Sequence, residues 1–141
     1  MALHRLLSAH LSGKEMNPPC EVLLFGDADV KADEPVRVID YTHVWRYPVV
    51  EGMRIRVVEE ERRCVVICDF TECGLYVGGN MIRWCRERGV QYTVREGRLA
   101  EFLRELPDDV PVKAWNNGKA IWLMGRGIRT VGELKRALGI N

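Results

Sequence analysis

Residues 36–70 decide the fold, and they read VRVIDYTHVWRYPVVEGMRIRVVEEERRCVVICDF. Apolar and polar side chains alternate over 36–49 and again over 53–59, which is the period of a half-buried β-strand. Glu51-Gly52 lies between the two segments and predicts a tight turn. The sequence therefore predicts a long hairpin in which each strand presents one face to the core.

Two more strands are predicted around this hairpin. Glu60-Glu61 is interpreted as a second turn, which leads into a strand over 63–70 and completes a three-strand antiparallel meander. An apolar segment over 21–26 predicts a further strand, and the GDADVKADEP segment that overlaps its end predicts an acidic loop. The first half of the chain is therefore expected to be mostly sheet.

The pattern changes after residue 80. Asn80 is the predicted cap of a helix over 81–88, which ends at Gly89. A strand is expected over 90–95, and apolar residues spaced by three and four predict a core-facing helix over 98–106.

The C-terminal part is predicted to contain one more hairpin and one more helix. Asn117-Gly118 lies between the segments 110–116 and 119–125, and it is the clearest hairpin signal in the chain. Thr130 is the predicted cap of a last helix that ends at Gly139.

Together these elements predict an α+β fold: a largely antiparallel sheet, made of a meander and a hairpin, with about four short helices. A short amphipathic helix over 2–12 is expected to be the first of them. A chain of 141 residues without a long linker fits one domain over 1–141. No apolar run is long enough to span a membrane and no signal cleavage site is apparent, so a cytoplasmic protein is expected.

Charge is distributed unevenly along the chain. The formal net charge is +1, but residues 1–79 hold nine Lys/Arg against thirteen Asp/Glu, and residues 80–141 hold twelve against seven. Arginine, which outnumbers lysine sixteen to five, can both stack on rings and pair with phosphate. Abundant Arg and Glu with a single Gln is typical of thermophiles, so a thermophilic source is expected.

Metal, cofactor and catalytic motifs are not found. The five cysteines form no CxxC pair, which disfavours a zinc finger. The acidic loop matches no calcium-binding pattern, and neither a glycine-rich phosphate loop nor a GxSxG motif occurs. We therefore expect no metal, no cofactor and no catalytic residue, and we lean towards a protein that is not an enzyme.

The predicted hairpin places aromatic rings in a row beside arginines. Four residues share one face of the long strand: Tyr41, His43, Trp45 and Tyr47. The predicted register puts Arg56 opposite Tyr47, and Arg54 falls on the same face. Single-stranded nucleic acid needs such a surface, since bases stack on rings and phosphates bind arginine. The alternative is a core face, because aromatic residues favour strands and pack beneath helices.

Two further surfaces carry the same combination. In the predicted Asn117-Gly118 hairpin, Lys113, Trp115 and Trp122 would share one face, with a buried core face as the alternative. The helix over 81–88 adds Arg83 and Arg86, which are interpreted as phosphate contacts, with a solvated helix face as the alternative.

Residues 62–128 resemble a known family. The segments RRCVVICDF, GVQYTVREGRLAEFLREL, VPVKAW and KAIWLMGRG are similar to the small ferredoxin-like subunit of the CRISPR spacer-integration complex. This resemblance implies a ferredoxin-like second half, a dimer that contacts nucleic acid, and Asp69 at a strand end as a metal-binding residue. In overall character the chain is also similar to the ThermoDBP-type single-stranded DNA-binding proteins of thermophilic archaea, which implies an archaeal source.

We therefore expect a non-enzymatic protein that binds single-stranded nucleic acid, DNA ahead of RNA, and we leave a homodimer open. One alternative is a metal-dependent nuclease or a CRISPR-adaptation-like subunit that uses Asp69, with Glu72 assisting. The other is a protein-interaction or assembly subunit, whose aromatic face would be a partner interface, because Trp, Tyr and Arg are also enriched at interface hot spots.

Overall fold

The computed structural model describes residues 20–70, 77–115 and 117–141, so the helix expected over 2–12 lies outside the described residues. In chain order the elements are β1 (Cys20–Phe25), β2 (Pro35–Glu51), β3 (Arg54–Asp69), α1 (Val77–Arg88), β4 (Tyr92–Arg98), α2 (Leu99–Arg104), β5 (Val112–Ala114), α3 (Gly118–Gly125) and α4 (Val131–Leu138). The predicted α+β class is confirmed. Of the helices in these ranges, none has the length and apolar character to cross a membrane.

One mixed five-stranded sheet, in the order β4-β2-β3-β1-β5, organises the described residues. β2 is antiparallel to β3 and β4, whereas β1 is parallel to β3 and β5. The longest ladder joins β2 to β3, from Val36 opposite Asp69 to Glu51 opposite Arg54. The sheet is therefore largely antiparallel, as predicted, but β1 joins it through parallel pairs.

The predicted second turn at Glu60-Glu61 is wrong. Both residues lie inside β3, where Glu60 pairs with Trp45 and Glu61 pairs with Val44. Glu60 is compatible with a strand because its carboxylate accepts hydrogen bonds from side chains on the same surface, among them the Tyr47 hydroxyl. In place of a three-strand meander, β2 and β3 form one long hairpin.

Helices cover both faces of the sheet near its centre. We call the side that carries the odd-numbered residues of β2 the front face, and the other side the back face. α1 packs on the front face, where the buried residues are Ile39, Tyr41, Cys64, Val66 and Cys85. α2, α3 and α4 pack on the back face, where the buried residues include Val38, Val65, Ile67, Leu103, Leu123 and Leu134.

The distal part of the β2–β3 hairpin extends beyond this core. β4 pairs with β2 only as far as Tyr41, and β1 pairs with β3 only from Arg63 onward. We call residues 42–62 the arm. On its back face Val50 and Ile55 are largely exposed, since they lie outside the back-face core that α2, α3 and α4 cover.

The predicted hairpin at Asn117-Gly118 is also wrong, because residues 118–125 form α3 rather than a strand. The Asn117 side chain accepts hydrogen bonds from the backbone N–H groups of Lys119 and Ala120, at 3.0 and 3.3 Å, which is the geometry of a helix N-cap. An Asn-Gly pair suits a cap as well as a turn. Here the helix forms because it buries Leu123 against the back face of the sheet.

The other predicted helices form close to their expected positions. α1 begins a turn earlier than residue 81, and α2 is shorter than the predicted span 98–106. α4 is capped as predicted: the Thr130 hydroxyl accepts from the N–H of Glu133 at 3.3 Å, and Gly139 ends the helix with φ of 70°.

Close packing around Gly118 gives a direct test of α3. A Cβ atom at this position would lie 1.9 Å from the backbone oxygen of Asp27, whereas one at Gly125 would meet nothing within 4 Å. We expect Gly118→Ala to lower the free energy of unfolding by about 1–3 kcal/mol. Gly125→Ala, the matched control, should leave it unchanged or raise it by up to about 1 kcal/mol. Urea denaturation measures both, and equal stabilities would contradict this packing.

A buried ion pair joins α3 to the loop before β2. Lys119 is only 2% exposed, and its Nζ donates to the two carboxylate oxygens of Glu34 at 3.0 and 2.8 Å. The position that a Cβ would take on Gly26 lies 2.7 Å from the Lys119 side chain and 2.5 Å from a carboxylate oxygen of Asp69. A glycine is therefore required where the end of β1 passes these two charged side chains.

This ion pair should be costly to break from one side. In Lys119→Met the Glu34 carboxylate stays buried without its partner, so we expect a loss of about 3–5 kcal/mol in urea denaturation. Lys119→Met combined with Glu34→Leu should recover much of it, because the Glu34 carboxylate is then no longer buried without a partner. Lys113→Met is the control: its partner Glu21 lies at the surface, and the loss should stay below about 1 kcal/mol.

Candidate nucleic-acid interface

The predicted row of rings lies on the front face, but its first member is covered. Tyr41 is 6% exposed and packs against Trp84 of α1, with ring centroids 5.7 Å apart. Burial raises the pKa of the Tyr41 hydroxyl well above its usual range. The open surface expected from the sequence therefore does not include Tyr41.

From Tyr41 outward the rings come to the surface. His43 lies edge-on to two tryptophans, with its ring centroid 5.1 Å from that of Trp84 and 5.6 Å from that of Trp45. Trp45 is 39% exposed and stands at the base of the arm. The rings therefore form a continuous row from beneath α1 to solvent. We call Tyr41, His43, Trp45 and Trp84 the ring row.

Tyr47, the next residue on this face, is partly buried among charged groups. Its hydroxyl donates to Glu60 Oε2 at 3.2 Å, and the Arg62 guanidinium lies 6.0 Å from its ring centroid. Partial burial and the negative charge of Glu60 raise the pKa of the Tyr47 hydroxyl, so it stays protonated at neutral pH. The ring of Tyr47 is thus held in place by the hydrogen bond at its hydroxyl.

Arg54 and Arg56 lie on the face predicted for them, although the register differs from the expected one by two residues. Tyr47 pairs with Val58, and Arg56 pairs with Val49, because the turn is Gly52-Met53 rather than Glu51-Gly52. An Nη2 atom of Arg56 lies 2.6 Å from the carboxylate of Glu51, so this guanidinium is already neutralised.

The exposed cations nearest to the ring row lie on α1. Arg83 and Arg86 are exposed, and neither forms an ion pair within the described part of the chain. Arg86 donates from Nε to the Tyr92 hydroxyl at 3.0 Å, and the Arg88 guanidinium lies 4.7 Å from the Trp84 ring centroid. Among the described residues no carboxylate competes for Arg83 and Arg86, whereas Arg88 lies 4.0 Å from Glu87 and most arginines of the arm already contact carboxylates.

Two depressions flank the ring row. A trough of about 950 Å³ follows the edge of β2 from Asp40 to Val44 and is closed by the end of α1 and the start of β4, including Arg88 and Tyr92. We call it the edge trough. On the other side of Trp45, a cavity of about 460 Å³ is lined by Arg62, Arg63 and Lys113, with Glu21 and Glu60 among the remaining residues. Trp45 lines the charged cavity, whereas His43 lines the edge trough.

The structure separates the tryptophans that the wrong hairpin had placed together. Trp115, which follows β5 at the edge of the sheet, is 67% exposed and stacks on Phe25 of β1, with ring centroids 6.1 Å apart. Trp122 belongs to α3 and packs on the back face, where Arg126 lies 4.1 Å from its ring centroid. Trp122 therefore cannot share a surface with Trp45.

Asp69 lies at the carboxyl end of β3, close to Gly26 and Lys119. Within the ranges that the structure describes, no group of three or more His, Cys, Asp or Glu side chains is arranged to hold a metal ion. Glu72, its expected companion, lies outside those ranges. A metal-binding role for Asp69 stays a prediction.

Sequence reasoning missed Trp84, which forms the centre of the ring row. The signal is present in the sequence, because Met81, Trp84 and Cys85 are spaced by three and four residues, which places them on one side of a helix. That side packs on the front face of the sheet. The arginines of the same helix lie on its exposed side.

The cysteines beneath α1 offer a test of how tightly it covers the sheet. Cys64 and Cys85 are buried free thiols, whereas Cys68 is disulfide-bonded. Burial raises the pKa of the Cys64 and Cys85 thiols, which lowers the fraction of reactive thiolate at a given pH. At pH 8.5 we expect both to react with iodoacetamide at least about tenfold more slowly in the folded chain than in urea. Peptide mass spectrometry measures the rates, and equal rates would contradict the burial.

Comparison with protein-family models, curated proteins and solved structures yields no significant match. The site is therefore interpreted from its own geometry. A row of rings on the front face of the sheet reaches solvent, and the helix that packs on this face carries exposed arginines.

Proposed function

We propose that this chain binds single-stranded nucleic acid on its front face, with DNA as the preferred ligand, and that it does so without catalysing a reaction. One observation carries the proposal: the ring row reaches solvent at Trp45, and its other tryptophan, Trp84, lies on the same helix as the exposed Arg83 and Arg86, which form no ion pair with any described residue. Rings bind bases through stacking, and arginines bind the backbone phosphates.

The stacking part of the site is Trp45 with His43 behind it. His43 is wedged between Trp84 and Trp45, which limits the motion of Trp45 and lowers the entropy that a bound base would have to remove. Stacking on one such ring contributes about 1–3 kcal/mol per base and depends little on base identity. Binding with little sequence preference is therefore expected.

The electrostatic part of the site is α1 rather than the arm. In the arm, Arg46, Arg56 and Arg62 contact Glu59, Glu51 and Glu60. A phosphate would have to displace these carboxylates, whereas on α1 no carboxylate of the described ranges pairs with Arg83 or Arg86. Since only a few cations are available, the salt dependence should be moderate rather than steep.

Titration with a dye-labelled oligothymidine at two salt concentrations tests the proposal. We expect binding that quenches Trp fluorescence and that Trp45→Ala weakens by about 1–3 kcal/mol, because the ring on which a base stacks is removed. An oligouridine of equal length tests the preference for DNA. The absence of both quenching and a mobility shift at low salt would rule the proposal out.

A charge variant tests the role of α1. We expect Arg83→Ala combined with Arg86→Ala to reduce the slope of log K against log salt by about 0.7 for each phosphate that the protein no longer neutralises. The matched control is Arg104→Ala combined with Arg136→Ala, which removes the same charge from the helices of the back face. An equal reduction of affinity in both double variants would mean that net charge, and not this site, governs binding.

A further inference from the structure

The edge of β2 in the arm has no strand partner among the described residues. β3 occupies one edge of β2 along its length, but β4 occupies the other edge only from Pro35 to Tyr41. An open edge presents a row of N–H and C=O groups that can pair with another strand. A two-stranded ribbon is also marginally stable by itself. The arm can therefore pair with an added strand at this edge, and such pairing would stabilise it.

Pro48 shows which main-chain groups point outward at this edge. Proline has no N–H, and Pro48 lies opposite Val57 within the β2–β3 ladder, so its nitrogen must face away from β3. Main-chain groups alternate in direction along a strand. The residues whose N–H and C=O groups face the open edge are therefore Thr42, Val44, Arg46 and Val50.

We propose that a second copy of this chain pairs with this edge, β2 antiparallel to β2, about a two-fold axis at Tyr47. In this register Val44 lies opposite Val50 of the second copy, and each such pair exchanges two main-chain hydrogen bonds. On the front face Trp45 lies opposite Val49, and His43 lies opposite Glu51. A two-fold antiparallel strand pair is self-complementary, as a closed dimer requires.

The two neighbouring registers are unfavourable. A shift that centres the axis on Arg46 places two guanidinium groups directly opposite each other, which destabilises a strand pair. A shift that centres it on Pro48 places the Glu51 carboxylate opposite Trp45 and Arg46 opposite Val50, so that charged side chains lie opposite apolar ones. The register centred on Tyr47 places Trp45 opposite Val49, Val44 opposite Val50 and the Glu51 carboxylate opposite His43. Its two Arg46–Pro48 pairs form one main-chain hydrogen bond each, because Pro48 has no N–H.

The edge trough accommodates the tip of the second arm. With Glu51 of the second copy opposite His43, its Gly52-Met53 turn falls beside Thr42, where the trough opens towards the start of β4. Met53 is fully exposed in the single chain, and the apolar part of the trough offers it a place to pack. Arg88 and His43 both line the trough, so the pairing places the carboxylate of Glu51 in the same depression as a cation.

The pairing does not depend on the proposed nucleic-acid binding, but it would extend that site. The front faces of the two arms would become one surface, so that Trp45 of each copy stands on the same four-stranded platform. β4 and the second copy's β2 would lie end to end along one edge of β2, since β4 stops at Tyr41.

A proline variant tests the pairing in the absence of nucleic acid. Val44→Pro removes an outward N–H and leaves the ladder to β3 intact, so we expect the dimer dissociation constant from sedimentation equilibrium to rise about tenfold or more. Val57→Pro is the matched control: Val57 lies opposite Pro48, its N–H faces the other edge of the hairpin, and dimerisation should be unchanged. Circular dichroism checks that both variants fold.

Cross-linking tests the register independently. At the two-fold axis the Cα atoms of residue 47 would lie about 4.5 Å apart, as in a non-hydrogen-bonded antiparallel pair, which is within the range of a disulfide. We expect Tyr47→Cys to form an intermolecular disulfide under mild oxidation, beyond any that the parent chain forms. Val49→Cys should not, because residue 49 faces residue 45 and not itself.

The results separate this inference from the proposed function. A parent chain that is monomeric at every concentration up to its solubility limit would overturn the pairing, as would a dimer that Val44→Pro and Val57→Pro weaken equally. Neither result depends on whether an oligonucleotide binds to Trp45, because no nucleic acid is present in these experiments.

Discussion

The antiparallel ladder between β2 and β3 is the interaction on which the rest of the structure depends. β1 pairs with the free edge of β3, and β4 pairs with part of the free edge of β2. The alternation of side chains along this ladder assigns Ile39 and Tyr41 to the side beneath α1, and Val36 and Val38 to the side beneath the other helices. A slip of one residue would exchange the two sides, so both layers of helices depend on this one register.

Much of this arrangement can be predicted from the sequence, because side-chain alternation survives small errors in the turn. The register predicted at Glu51-Gly52 differs from the observed one by two residues, yet it places Trp45, Tyr47 and Arg56 on the correct common face, since an even displacement keeps the faces. The row of rings is therefore visible in the sequence. Its burial at Tyr41 is not, because the position of Trp84 depends on where α1 docks.

The two errors in the fold have a common origin in local ambiguity. Glu60-Glu61 is compatible with a turn by sequence alone. The hydrogen bonds that Glu60 accepts from Tyr47 and Arg62 favour a continuous strand. Asn117-Gly118 is compatible with a hairpin turn or a helix cap. The burial of Leu123 in the core and the close approach of Asp27 to Gly118 favour the helix. In both cases the deciding contacts include residues distant in sequence. The parallel pairing of β1 with β3 and β5 could not be predicted either, because the local sequence of a strand does not indicate which strands lie next to it.

The charged side chains of the arm differ from those of α1 in how they are paired. The near-neutral total conceals an arm in which Arg46, Arg56 and Arg62 contact glutamates, and an α1 in which Arg83 and Arg86 form no ion pair with a described residue. Pro48 has one more consequence for this exposed arm. Because it leaves a gap among the outward-facing donors, a continuous run of strands from many chains cannot stack along this edge without missing hydrogen bonds. Pro48 thus disfavours the open-ended addition of strands at this edge that leads to fibrils.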